Sequence, residues 1–126
     1  MRWMKLAALL AGVLLLAAAC AEESDPSAAV SGYLQAWVAG DEAQLISLSC
    51  AAWEPQARIQ SQSFVAAEAT LEGLACQRSG EDGDAALVNC EGTIVMDYNG
   101  EIREWELETY RAVQEGGDWR FCGEAG

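Results

Sequence analysis

The chain has 126 residues, five cysteines and no histidine, and its 20 acidic residues against seven basic ones leave a net charge of −13. That balance argues against nucleic acid as a partner, which needs a basic patch for its phosphates, and against electrostatic docking on an anionic membrane. Without histidine, the common nucleophilic triad and zinc sites of Cys and His type are excluded.

The chain opens on a leader. Arg2 and Lys5 form a positive start, and Leu6 to Ala19 carries no charge. Residues 1–19 therefore read as a secretory signal peptide. As a helix the uncharged run would rise roughly 21 Å, short of the ~30 Å hydrocarbon core of a bilayer. Its end, Leu16-Ala17-Ala18-Ala19-Cys20, resembles a bacterial lipobox, with Ala17 where a leucine is usual. The resemblance implies cleavage before Cys20 and a diacylglycerol on its sulfur, hence a membrane anchor. The alternative is ordinary cleavage and free secretion. Residues 20–25 would be the lipidated cysteine and a short polar tether.

Residues 26–126 read as one domain, helices first and strands after. Asp25 is placed to cap a helix that starts at Pro26 and stops before Gly40. Val30, Tyr33, Leu34, Trp37 and Val38 fall on one face of it. Asp41 and Glu42 open a second, shorter helix. A third is expected from Gln56 to about Leu71. From Leu74 the period becomes twofold. Strands are expected at Leu74–Arg78, Ala86–Tyr98, Ile102–Val113 and Trp119–Cys122, with Ser79–Asp84 as a hairpin loop. Asn99-Gly100 is the strongest turn signal, because a type I′ turn takes positive φ at both central residues. The turn sets Ile94 opposite Trp105 and Met96 opposite Arg103. One face of the sheet is then apolar, and the other carries Glu91, Glu104, Glu106 and Glu108. The helices are available to cover the apolar face.

With Cys20 set aside, Cys50, Cys76, Cys90 and Cys122 remain, an even number in an exported domain. Four cysteines allow three pairings. Cys76 and Cys90 flank one hairpin and face each other if its loop centres on Gly83. The expected disulfides are therefore Cys76–Cys90 and Cys50–Cys122, the second tying helices to sheet.

The order of helices and then a four-stranded antiparallel meander resembles the nuclear transport factor 2-like (cystatin-like) superfamily. The opening helix with Tyr33 and Trp37, Gly40-Asp41 before the second helix, and the terminal Trp119-Arg120-Phe121 carry the likeness. It implies an α+β fold in which a curved sheet wraps the first helix around a cone-shaped cavity. Tyr33, Trp37, Met96 and Trp105 are the candidates for lining such a cavity, and the favoured alternative is that the aromatic rings simply fill a small core. Some members of the superfamily are isomerases, dehydratases or cyclases, and many others only bind.

No catalytic residue, cofactor or metal site is expected. Asp82-Gly83-Asp84 lacks the later glycine and glutamate of an EF-hand, which would fall at Leu87 and Thr93; it reads as a solvated turn. Tyr33, Asp97, Tyr98 and Tyr110 are the candidates for an acid or donor in a cone, with Asp97 and Tyr110 placed outward by strand parity. The expected function is a non-catalytic ligand- or protein-binding module held at the cell membrane by its lipid. Its partner would be an apolar small molecule or a basic envelope protein. Like charges on the acidic face favour a monomer. The alternative is a small cavity enzyme with a carboxylate base and a tyrosine donor.

Overall fold

The computed structural model describes residues 25–126. The signal peptide expected over 1–19 and the lipidation expected at Cys20 lie outside the described residues. Asp25 caps the first helix, α1 (Pro26–Ala39), by accepting the Ser27 N–H at 2.9 Å. Gly40, at φ 67°, ends it in the left-handed conformation that glycine adopts freely. Val30, Tyr33, Leu34 and Trp37 are buried along its length, as their spacing predicts. The Asp41 carboxylate caps α2 (Glu42–Leu48) through the Gln44 N–H at 3.1 Å. A 3-10 turn at Ala51–Trp53 leads into α3 (Glu54–Gln60).

The third helix is much shorter than its Ala, Gln and Glu content predicts. Ser61 stops it, donating its hydroxyl to the Arg58 carbonyl at 2.7 Å. Such local bonds compete with the helical ladder. The next residues are turns that bring Phe64 back against Trp37, with ring centroids 5.5 Å apart. The chain is already extended from Glu68, six residues before the expected start of the sheet.

Five strands follow, not four: β1 (Glu68–Asp82), β2 (Ala85–Tyr98), β3 (Glu101–Glu106), β4 (Thr109–Glu115) and β5 (Asp118–Glu124). The expected Ser79–Asp84 loop is strand as far as Asp82, so Gly83-Asp84 alone makes the turn, with Gly83 at φ 60°. The single strand expected over Ile102–Val113 is interrupted at Leu107-Glu108. Its two pieces lie end to end along β2. β3 pairs the C-terminal half of β2, and β4 pairs the N-terminal half. β1 takes the opposite edge of β2, and β5 lies beyond β4. The result is an open antiparallel sheet with three helices packed on it.

The interruption comes from glycine. Asn89 faces Thr109 while Thr93 faces Glu106, so β2 holds one residue more than its neighbour in that interval. Gly92 sits there at φ 128°. On the other edge β1 holds one extra residue between Glu72 and Ala75, at Gly73 (φ 68°). The two bulges lie side by side and bend the sheet. The break also shifts the parity of β4, which corrects the outward placement of Tyr110: its side chain is buried, with its ring 5.5 Å from that of Phe121.

The Asn99-Gly100 turn has the expected form, with Asn99 at φ 56°, and sets Ile94 opposite Trp105 and Met96 opposite Arg103. Val88, Cys90, Ile94 and Met96 are buried beneath the helices. Glu91, Glu104, Glu106 and Glu108 are exposed. Two cysteine pairs stand at disulfide distance, Cys50–Cys122 at 2.04 Å and Cys76–Cys90 at 2.08 Å. Two such bonds indicate an oxidising, exported environment. No helix among the described residues is long and apolar enough to cross a membrane.

Candidate functional site

Tyr33 lies at the centre of the core. Its ring stacks on Phe121 of β5 with centroids 3.7 Å apart and planes 2° from parallel. Trp53 meets Phe121 edge-on at 5.9 Å and donates its Nε1–H to the Tyr33 hydroxyl at 3.0 Å. The Tyr33 hydroxyl donates in turn to Gln60 Oε1 at the end of α3. Helix α1 thus brings Tyr33 to a place where α3, the 3-10 turn and β5 all converge on it. Its hydroxyl is fully engaged, so it links elements together instead of facing a solvent-filled space.

A second aromatic group lies one turn along α1. Trp37 is buried and donates its Nε1–H to Ser63 Oγ at 3.0 Å. Phe64 packs on one side of it, and Trp105 of β3 meets it edge-on at 5.8 Å. Met96 is buried nearby, and the Tyr98 hydroxyl reaches its sulfur at 3.8 Å. The four candidate cavity residues therefore divide. Tyr33, Trp37 and Met96 are core, while Trp105 is 44% exposed and forms the margin of that core. Gln60 and Phe64 complete these groups; both fall in a segment whose composition reads as helix, which hides their roles from the sequence.

Every Asp and Glu among the described residues is exposed or half-buried, and the buried polar side chains are Ser49 and Ser61. Asp97 faces outward as expected and accepts the Gly100 N–H at 2.6 Å, so its carboxylate secures the hairpin turn. It also lines, with Val65, Ala66, Ala67, Glu68 and Asn99, a depression of 440 Å³ at the end of the sheet. Tyr98 is half-buried beneath the Arg103 guanidinium, which lies 5.8 Å from its ring centre. Asp82, the last residue of β1, pairs with Arg111 across the sheet.

Burial pushes the Tyr33 hydroxyl up from 10.0 to about 12, with the Trp53 hydrogen bond opposing it. Burial likewise lifts Tyr110 to about 12, reinforced by the negative charges of Glu108 and Glu124 and opposed by the Glu108 N–H. The folded state holds these two protons where an unfolded chain would release them near pH 10. The contribution is complete below pH 10 and is lost as pH rises from 10 toward 12. In an alkaline titration, two tyrosinate absorbance steps should lag toward pH 12, with the loss of near-ultraviolet circular dichroism accompanying them. All three tyrosines titrating together with a midpoint near pH 10, in a chain that keeps its near-ultraviolet signal, would contradict this.

No protein-family model matches the chain, and no curated protein matches it.

Proposed function

We propose that the chain is an exported lipoprotein whose domain is a non-catalytic binding module, held at the membrane through Cys20. The leader, its end at Ala19-Cys20, and two disulfides beyond it support export and anchoring. The observation that carries the binding reading is the state of the interior. Tyr33, Trp53, Phe121 and Trp37 pack against one another there, and the hydroxyl best placed to act as a donor is already bonded to Gln60 and Trp53. A cavity isomerase or dehydratase needs a desolvated carboxylate beside a free donor.

The order of elements and the glycine bulges that bend the sheet around α1 support a nuclear transport factor 2-like cone, here filled by aromatic rings. The working surface is then external. The exposed glutamates of the outer face suit a basic envelope protein and oppose self-association, which favours a monomer.

Anchoring has a direct test. Cys20→Ser should move the protein from the membrane fraction to the soluble fraction, since a single diacylglycerol provides the two chains that stable attachment requires. Intact mass of the parent should show a lipid-bearing residue at Cys20. A mature chain beginning at Ala21, or carrying an unmodified Cys20, would refute the anchor.

A further inference from the structure

We propose that the free edge of β3 is a docking site for a basic extended segment, which adds to the sheet as a strand. This deepens the binding-module reading and rests on it. In the row of the sheet beyond β2, β4 and β3 lie end to end. Next to them, β5 covers β4, and the Ala125 N–H still reaches the Thr109 carbonyl at 2.9 Å. Beside β3 the same row is empty: among the described residues β3 pairs with β2 alone, and all six of its residues are exposed.

The hairpin geometry fixes which backbone groups are available. A two-residue turn makes Tyr98 and Glu101 a pair that exchanges both hydrogen bonds. Such pairs alternate along an antiparallel ladder. The Leu107 N–H bonded to the Gly92 carbonyl at 3.0 Å lies in that series. Glu101, Arg103 and Trp105 therefore spend their N–H and C=O groups on β2. Those of Ile102, Glu104 and Glu106 point out of the free edge.

Side chains specify the occupant. On the outer face an added strand would run beside Glu104 and Glu106. On the inner face it would run beside Trp105, which Trp37 covers only in part. The one cation of the strand, Arg103, is turned to Glu101 at 3.3 Å and to the ring of Tyr98. A complementary strand alternates basic and apolar residues, with its basic side outward. The same glutamates reject a second copy of β3, because an added identical strand would bring carboxylates together. Backbone pairing supplies affinity in this mode of recognition, and alternate side chains supply selection.

The test uses the full chain with both disulfides intact and a short peptide alternating lysine and valine. The peptide should bind, and a glutamate–valine peptide of equal length should not. Hydrogen exchange should slow at the amides of Ile102, Glu104 and Glu106, which are unprotected without peptide. Glu104→Pro removes an outward donor without touching the β2 ladder. It should weaken binding at least about tenfold, whereas Glu104→Gln, which loses only charge, should stay within about fivefold. The pair Glu104→Lys and Glu106→Lys should reverse the preference between the two peptides. Three results would overturn the proposal: equal binding of both peptides, Glu104→Pro binding like its parent, or protection of these amides before any peptide is added, whether by a second copy or by the chain's own N-terminal segment. Membrane attachment is read on a separate sample, so an attached chain that ignores the peptide rejects the β3 partner and leaves the anchor standing.

Discussion

Replacing Cys50 and Cys122 together by alanine is expected to lower the free energy of unfolding by about 4 kcal/mol. The bond closes a loop of 72 residues, which is long enough to restrict the unfolded chain severely. It also fastens two layers. The Cys50 N–H donates to the Phe121 carbonyl at 2.8 Å, and Ser49 bridges Phe121 in parallel. The end of α2 is thus stitched to β5 directly above the ring that stacks on Tyr33. A domain of this size has roughly 5–15 kcal/mol to lose, so the melting temperature should fall by on the order of 20 °C. The Cys76–Cys90 bond closes only 14 residues, across a ladder that already holds β1 to β2. Its removal should cost clearly less, below the ~3 kcal/mol that the chain-entropy model gives a short loop. Urea unfolding of the two double mutants decides this. Equal losses, or a greater loss for Cys76 and Cys90, would show that the hairpin and not the layer junction limits stability.

Gly92→Ala is expected to be the most damaging single substitution among the glycines, at about 3 kcal/mol. Two costs combine. At φ 128° an L side chain is strained. A Cβ there would also stand 2.8 Å from the Glu72 carbonyl oxygen and 3.1 Å from the backbone of Gly73, neither of which can rotate away. Relief would require β1 and β2 to separate at the bend. Gly73→Ala offers the control. It too has positive φ, but the nearest atom to its Cβ is 4.0 Å away, so it should cost only about 1 kcal/mol. Denaturant curves that place the two variants together would show the backbone approach at Gly92 to be unimportant.

Local signals carried much of the architecture. Asp25, Pro26 and Gly40 bound α1 unaided, and Asn99-Gly100 sets the β2–β3 register, because each acts through its own dihedral angles or hydrogen bonds. The Cys76–Cys90 pairing is expected from a loop centred on Gly83, but the turn is Gly83-Asp84, and it is the register shift between Arg78 and Gly80 that sets Cys76 opposite Cys90. What was hidden depends on partners distant in sequence. Glu68 to Leu71 has helix-compatible composition, yet it is strand because the far end of β2 pairs with it. The alternation from Ile102 through Tyr110 contains no break signal of its own. The signal is Gly92, on the neighbouring strand, so parity counted along Ile102 to Tyr110 alone puts Tyr110 on the wrong face. In the candidate site, Tyr33 and Trp37 were visible from helical spacing. Gln60 and Phe64, which complete their surroundings, became visible only when α3 proved to end at Ser61. The edge of β3 could not be read at all from the sequence, since it is defined by where β5 stops.

The stack of Tyr33 on Phe121 joins the first helix to the last strand, and this has a consequence for the order of assembly. A chain that emerges from its N-terminus presents α1 long before β5 exists to receive it. Until then Tyr33 has no ring to stack on and Cys50 has no Cys122. The β1–β2 hairpin, by contrast, has all its parts in one continuous stretch and can oxidise while synthesis or passage through a membrane is still under way. Two cysteine pairs in one small domain therefore mark two different moments: one needs only the β1–β2 hairpin, the other waits for β5.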